Sequence, residues 1–169
     1  MRMEAMLSFM KVEPLPQATV GQIIGLLEVL SDYRSKQEDL HELAQELQMD
    51  LDEFSPIVEA TEILGFAEIV NGDIKLTSLG QQFVNADINE RKLIFKDRLK
   101  RIKLFKELLK LLRKEELHSL DREIFVDELS THLPPESADR VLRVAIDWGR
   151  FAELIGYSAD AEEVYIDEE

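Results

Sequence analysis

The feature that most constrains this chain is the stretch Ile88 to Leu117, inside the longest segment free of Gly and Pro. Its apolar residues Phe95, Leu99, Ile102, Phe105, Leu109 and Leu112 recur at spacings of three and four, which predicts one amphipathic helix. A helix of about 30 residues is about 45 Å long. That is too long for one compact lobe of a 169-residue chain, so it is expected to join or brace two lobes. The stretch is also basic. Residues 88–116 carry 11 Lys and Arg against 5 Asp and Glu, whereas residues 1–87 carry 5 against 16 and residues 117–169 carry 4 against 14. The chain therefore reads as two acidic lobes around a basic helix, with a formal net charge of −15. Such a helix lowers self-repulsion in the fold, and its cations also offer a face to an acidic partner.

With 45% hydrophobic and 33% charged residues, the chain belongs to the globular class. The absence of Cys excludes disulfides and thiolate metal sites and fits a reducing compartment. No apolar run is long enough to span a bilayer, and Glu4 interrupts the apolar start, so neither direct membrane insertion nor a signal peptide is expected. The strongly negative charge argues against unspecific binding to nucleic acid or anionic lipid.

Taken in order, residues 1–18 form a Met-rich lead and a linker punctuated by Pro14 and Pro16. Residues 19–87 form a first lobe. Thr19 is placed to cap a helix from Val20 to Tyr33. A second helix is predicted from Gln37 to Leu47, and a third from Leu51 to Leu64, capped by Asp50 and ended by Gly65. Asn71-Gly72 between alternating strands predicts a hairpin in which Val70 faces Asp73, Ile69 faces Ile74, Glu68 faces Lys75 and Ala67 faces Leu76. Thr77 then caps a short helix. Three helices and a hairpin in this order predict a winged helix-turn-helix.

Residues 88–169 repeat the pattern. The long helix serves as the first helix, followed by a helix from Arg122 to His132 capped by Asp121 and, after Pro134-Pro135, a helix starting at Glu136 or Ser137. A hairpin from residues 153 to 167 closes the copy. The expected fold is mainly α, with tandem winged-helix lobes, each with a small β-hairpin, sharing a long central helix.

No catalytic constellation emerges. The glycines form neither a phosphate-binding loop nor a dinucleotide fingerprint, and His41, His118 and His132 lack ligand spacing, so no catalytic residue, metal or cofactor is expected. The third helix of the first lobe, DLDEFSPIVEATEIL, would enter the major groove if the lobe bound DNA. It holds five acidic residues and no Lys or Arg, which opposes phosphate contact. The candidate partner-binding residues are Lys96, Lys103 and Lys110, at seven-residue spacing on the basic helix, together with Trp148 and Arg150 in the run AIDWGRFAE. Trp148, the only tryptophan, reads either as core or as an exposed interface anchor.

The stretches PLPQATVGQIIGLLE, LHELAQELQMDLDEF, EATEILGFAEIVNGDIKLTSLGQQFVNADINERKLIF and AIDWGRFAELIGY carry a resemblance over about residues 14–167. The chain resembles the AAA-associated C-terminal domain found behind the ATP-binding subunit of nitrate, sulfonate and taurine-type ABC importers. The resemblance implies a non-catalytic accessory or regulatory module of a transport ATPase, cytoplasmic or peripheral to the inner membrane through its transporter partner. Family members usually follow a complete ATPase, and no position here matches one, so no ATPase residue is carried over. A stand-alone member and a separated fragment both stay open, as does self-association. The alternative is a winged-helix transcription regulator binding DNA or a small effector.

Overall fold

The computed structural model describes residues 12–167; the Met-rich lead of residues 1–11 lies outside the described residues. Within them are eight helices and two three-stranded antiparallel sheets. No helix among the described residues is long and apolar enough to cross a membrane. The chain divides into two compact units, one of residues Pro16–Phe95 and one of residues Lys96–Glu169 with the segment ending at Leu15.

The first unit is a winged helix. Helix α1, Val20–Asp32, begins with a capping box: Thr19 Oγ1 accepts from the Gln22 amide while the Gln22 side chain accepts from the Thr19 amide. Ile23, Leu26, Leu27 and Leu30 bury its apolar face. Strand β1 follows, Gln37–Asp39, and then α2, Leu40–Glu46. The expected start of this helix at Gln37 is corrected, because those three residues pair with a strand of the hairpin. The Leu76 amide donates to the Lys36 carbonyl and the Leu40 amide to the Gly72 carbonyl, so the backbone here is taken by the sheet. A three-residue polar strand has no alternation for a sequence to display.

Helix α3, Leu51–Ile63, is capped by Asp50, whose Oδ1 accepts from the Glu53 amide, and it accommodates Pro56 inside. Its end is a Schellman motif: the Phe66 amide donates to the Thr61 carbonyl and the Gly65 amide to the Glu62 carbonyl, with Gly65 at φ 83°. Strands β2, Ala67–Val70, and β3, Asp73–Leu76, pair in the register expected from the sequence, and Asn71 and Gly72 both have positive φ, as the two-residue turn requires. The sheet order is β1-β3-β2. Helix α4, Ser78–Asn85, follows its cap Thr77. Phe66 and Phe83 stack at 4.5 Å between ring centroids, and Phe95 tilts against both at about 6 Å.

The long helix is the main correction. It is two helices, α5, Ile88–Leu99, and α6, Lys103–Arg113. The last turn of α5 tightens, with Arg101 and Ile102 amides donating three residues back to Arg98 and Leu99, and Ile102 adopts an extended conformation. No Gly or Pro marks the break. Lys96, Lys100, Lys103 and Lys106 would repel one another at spacings of three and four in a continuous helix. The break also lets α6 set its own buried face, Leu104, Phe105, Leu108, Leu109 and Leu112. The boundary between the two units falls inside α5, between Phe95 and Lys96.

The second unit repeats the first with α6 as its opening helix. Strand β4, Ser119–Asp121, leads into α7, Arg122–Ser130. Asp121 occupies the cap position, but its side chain makes no capping hydrogen bond. Helix α8, Pro135–Phe151, starts one residue before the expected range because Pro135 is itself the first helical residue, where its missing amide costs nothing. Strands β5, Ile155–Ser158, and β6, Glu163–Ile166, complete a sheet of order β4-β6-β5, the same topology as in the first unit. The parallel extends to single bonds. The Ile166 amide donates to the His118 carbonyl and the Arg122 amide to the Glu162 carbonyl, as Leu76 and Leu40 do to Lys36 and Gly72. His118 and Lys36 share positive φ.

Candidate docking surface

Helix α6 is the most sharply two-sided element of the second unit. Its apolar face is buried, and Lys103, Lys106, Lys110 and Arg113 lie exposed on the other side. Their spacing of three, four and three residues places them on one stripe of the helix. Lys103 Nζ lies 2.8 Å from Oε1 of Glu107, one turn on, whose side chain is only 7% exposed. The buried carboxylate thus holds one lysine in place at the start of the stripe.

This geometry changes the membership expected from the sequence. Lys103 and Lys110 belong to the stripe together with Lys106 and Arg113. Lys96 does not, because it sits half-buried in α5, before the break. The signal for Lys106 and Arg113 was present in the three-four-three spacing, but extending the stripe through a continuous helix drew Lys96 in instead. Trp148 is fully buried and cannot serve as a surface anchor. It continues the stripe Val141, Ala145 and Trp148 that faces the core of its own unit. Beside it, Gly149 leaves room for Ile155, since a Cβ there would lie 2.3 Å from Ile155 Cγ1. Arg150, the next residue, is exposed in the last turn of α8.

The helix that would read DNA in the first unit keeps its acidic character. Asp52, Glu53, Glu59 and Glu62 of α3 are exposed. Partial burial and the neighbouring Glu59 push the Glu62 carboxyl above its ordinary range. A surface that already disfavours its own negative charge is unsuited to phosphate.

The residues that carried the family resemblance have structural explanations. Thr77 Oγ1 donates to the Gly65 carbonyl at 2.7 Å and accepts from the Gly80 amide at 3.0 Å, and the Thr77 amide donates to the Phe66 carbonyl. Gly80 lies so close to that carbonyl that a Cβ would stand 1.9 Å from its oxygen. Asp87 Oδ1 accepts from the Glu90 amide and caps α5. Arg91 donates to the carbonyls of Phe83 and Val84, lies over the Phe83 ring at 5.4 Å and pairs with Glu28 at 3.3 Å. The motif LGF, LT-x-x-G and D-I-x-E-R is therefore one joint, binding the end of α3, the hairpin and α4 to the start of α5.

The model of the family described as the C-terminal AAA-associated domain matches residues 41–158. The chain belongs to this family. The match runs from α2 to β5, so the AAA-associated domain comprises parts of both winged-helix units. Membership makes the chain an accessory domain linked to AAA-type or ABC-type ATPases. Comparison with curated proteins and with solved structures finds no match.

Proposed function

We propose that this AAA-associated domain is a non-catalytic regulatory module that docks on the ATP-binding subunit of an ABC importer of the nitrate, sulfonate or taurine type. It works in the cytoplasm, reaching the inner membrane only through that transporter. The observation that carries the reading is the exposed cationic stripe of α6 in a chain of net charge −15. Four cations on one stripe resist the prevailing sign of the chain, so they favour an acidic protein surface and let the remaining carboxylates reject other partners. Family membership supports an ATPase as that partner, and the sequence resemblance supports the importer class.

The test is association with the ATP-binding subunit of such an importer from the same source, followed by calorimetry over a range of salt. Binding is expected to weaken steeply as salt rises. Exchanging Lys106, Lys110 and Arg113 together for Glu is expected to weaken it at least tenfold with an unchanged thermal midpoint. Normal binding by this variant would place the interface elsewhere. Saturable, sequence-selective gel shifts with genomic DNA would favour a transcription regulator instead.

A further inference from the structure

The second unit holds a cleft of about 400 Å³ between the start of α7, the outer side of α8 and the hairpin β5–β6, lined by Arg122, Asp139, Arg143, Ile146, Tyr157 and Glu162. One carboxylate organises its floor. Asp139 accepts from Arg122 Nη2 at 2.7 Å through Oδ1 and from Arg143 Nε at 3.0 Å through Oδ2. The hydrogen bond from Arg122 holds the Asp139 carboxyl below the usual carboxylate range in spite of its partial burial. Arg122 also pairs through Nη1 with Glu123 Oε1 at 3.2 Å, so the two carboxylates balance the two guanidinium groups. Arg143 meets Asp139 through Nε and lines the cleft with a side chain 68% exposed. Across the cleft stands Glu162, held in the left-handed conformation at φ 52° while its carbonyl accepts from the Arg122 amide.

The first unit shows that the fold does not demand these groups. Matching the backbone bonds of the two hairpins and the two helix ends aligns Arg122 with Leu40, Glu162 with Gly72, Tyr157 with Ile69, and Asp139, Arg143 and Ile146 with Leu51, Ser55 and Val58. None of the first-unit counterparts is charged. At the strained position the first unit has glycine, which takes a positive φ freely, whereas the second keeps a glutamate there. At these six positions the fold carries no charge in one unit, and two cations, two anions and a phenol around a cleft in the other.

We propose that this cleft binds a small zwitterion, with an apolar α-amino acid as the simplest form. Its acid group pairs with the terminal nitrogens of Arg143, its ammonium group meets Glu162, and its apolar body lies on Ile146 and the ring of Tyr157. Planar acid groups match the guanidinium fork, and apolar walls with a few convergent polar groups are the usual composition of a small-molecule site. The site is independent of the α6 stripe and stands or falls separately from the docking reading.

Isothermal titration calorimetry of the full chain with leucine and with phenylalanine tests it, beside 4-methylpentanoate, which lacks the amine, and isopentylamine, which lacks the acid. At least one amino acid is expected to bind, with both half-ligands at least tenfold weaker. Arg143→Ala and Glu162→Gln are each expected to weaken binding at least tenfold with an unchanged thermal midpoint. Amide NMR shifts on adding the amino acid should cluster at residues 122, 139–146 and 157–162. Absence of binding by both amino acids, equal binding by either half-ligand, unchanged affinity in both variants, or shifts confined to other residues would each overturn the proposal.

Discussion

Gly80 shows how a single residue can be dictated by an atom of another segment. Its missing Cβ is what lets α4 approach the Phe66 carbonyl, and the obstacle is backbone oxygen rather than a flexible side chain. Gly80→Ala should therefore destabilise the fold by roughly 1–3 kcal/mol, the range for overpacking a tight contact. A chemical denaturation midpoint equal to that of the parent would refute this. Tyr33 illustrates the electrostatic counterpart. Its hydroxyl donates to Glu46 Oε2, and that hydrogen bond, with some burial and the nearby carboxylates of Glu46, Glu38 and Glu42, raises its pKa to about 12. Folding thus favours the protonated phenol. The stability it contributes is fully present below the unfolded value near 10 and is lost as pH rises from about 10 to about 12. Absorbance at the phenolate band, as the difference between the parent and Tyr33→Phe, should show one tyrosine titrating near 12. A difference curve centred near 10 would show that the bond to Glu46 is not made.

Among the elements, the joint around Thr77 does more than either helix it connects. Its hydroxyl serves as cap for α4 and as donor to the terminal carbonyl region of α3, so one side chain satisfies polar groups of two helix ends. Thr77→Ala is expected to cost about 1–2 kcal/mol, and Thr77→Ser, which keeps both bonds, less than half of that. Equal melting temperatures for the two variants would mean that the hydroxyl contributes nothing. Helices α5 and α6 make the opposite point. Lysine repulsion disfavours a continuous helix through Lys100, but no Gly or Pro stops it there, and Ile102, the residue before α6, supplies no side-chain cap. The start is set by the packing of Leu104, Phe105 and Leu108 instead.

Across the whole molecule, charge of one sign dominates. At pH 7 the formal net charge of −15 makes the compact state repel itself, and the basic segment of residues 88–116 offsets only part of this. Moderate salt should therefore raise the melting temperature, by roughly 2–4 °C between about 10 mM and about 300 mM sodium chloride, since screening relieves about 1 kcal/mol. A fall over the same range would mean that specific ion pairs, such as Arg122 with Asp139, outweigh the general repulsion.

The amino-acid sequence alone determined the parts governed by near neighbours. Asn71-Gly72 set the turn and hence the register of four residue pairs. Thr19, Asp50 and Thr77 set helix starts through bonds to amides three residues on, and Gly65 set a helix end. The repeated order of helices and hairpins made the tandem winged-helix pattern and the family legible. Tertiary structure alone decided what depends on distant partners. Strands β1 and β4 exist only because β3 and β6 offer them hydrogen bonds. The break after Leu99 follows from where the side chains of α6 are buried. Trp148 became core because the rest of its unit closes over it. The Arg122–Asp139–Arg143 group joins side chains of two helices, which no local spacing reveals beyond the four-residue step from Asp139 to Arg143. Local rules act through backbone geometry over a few residues, whereas burial and pairing depend on which segments the fold brings together.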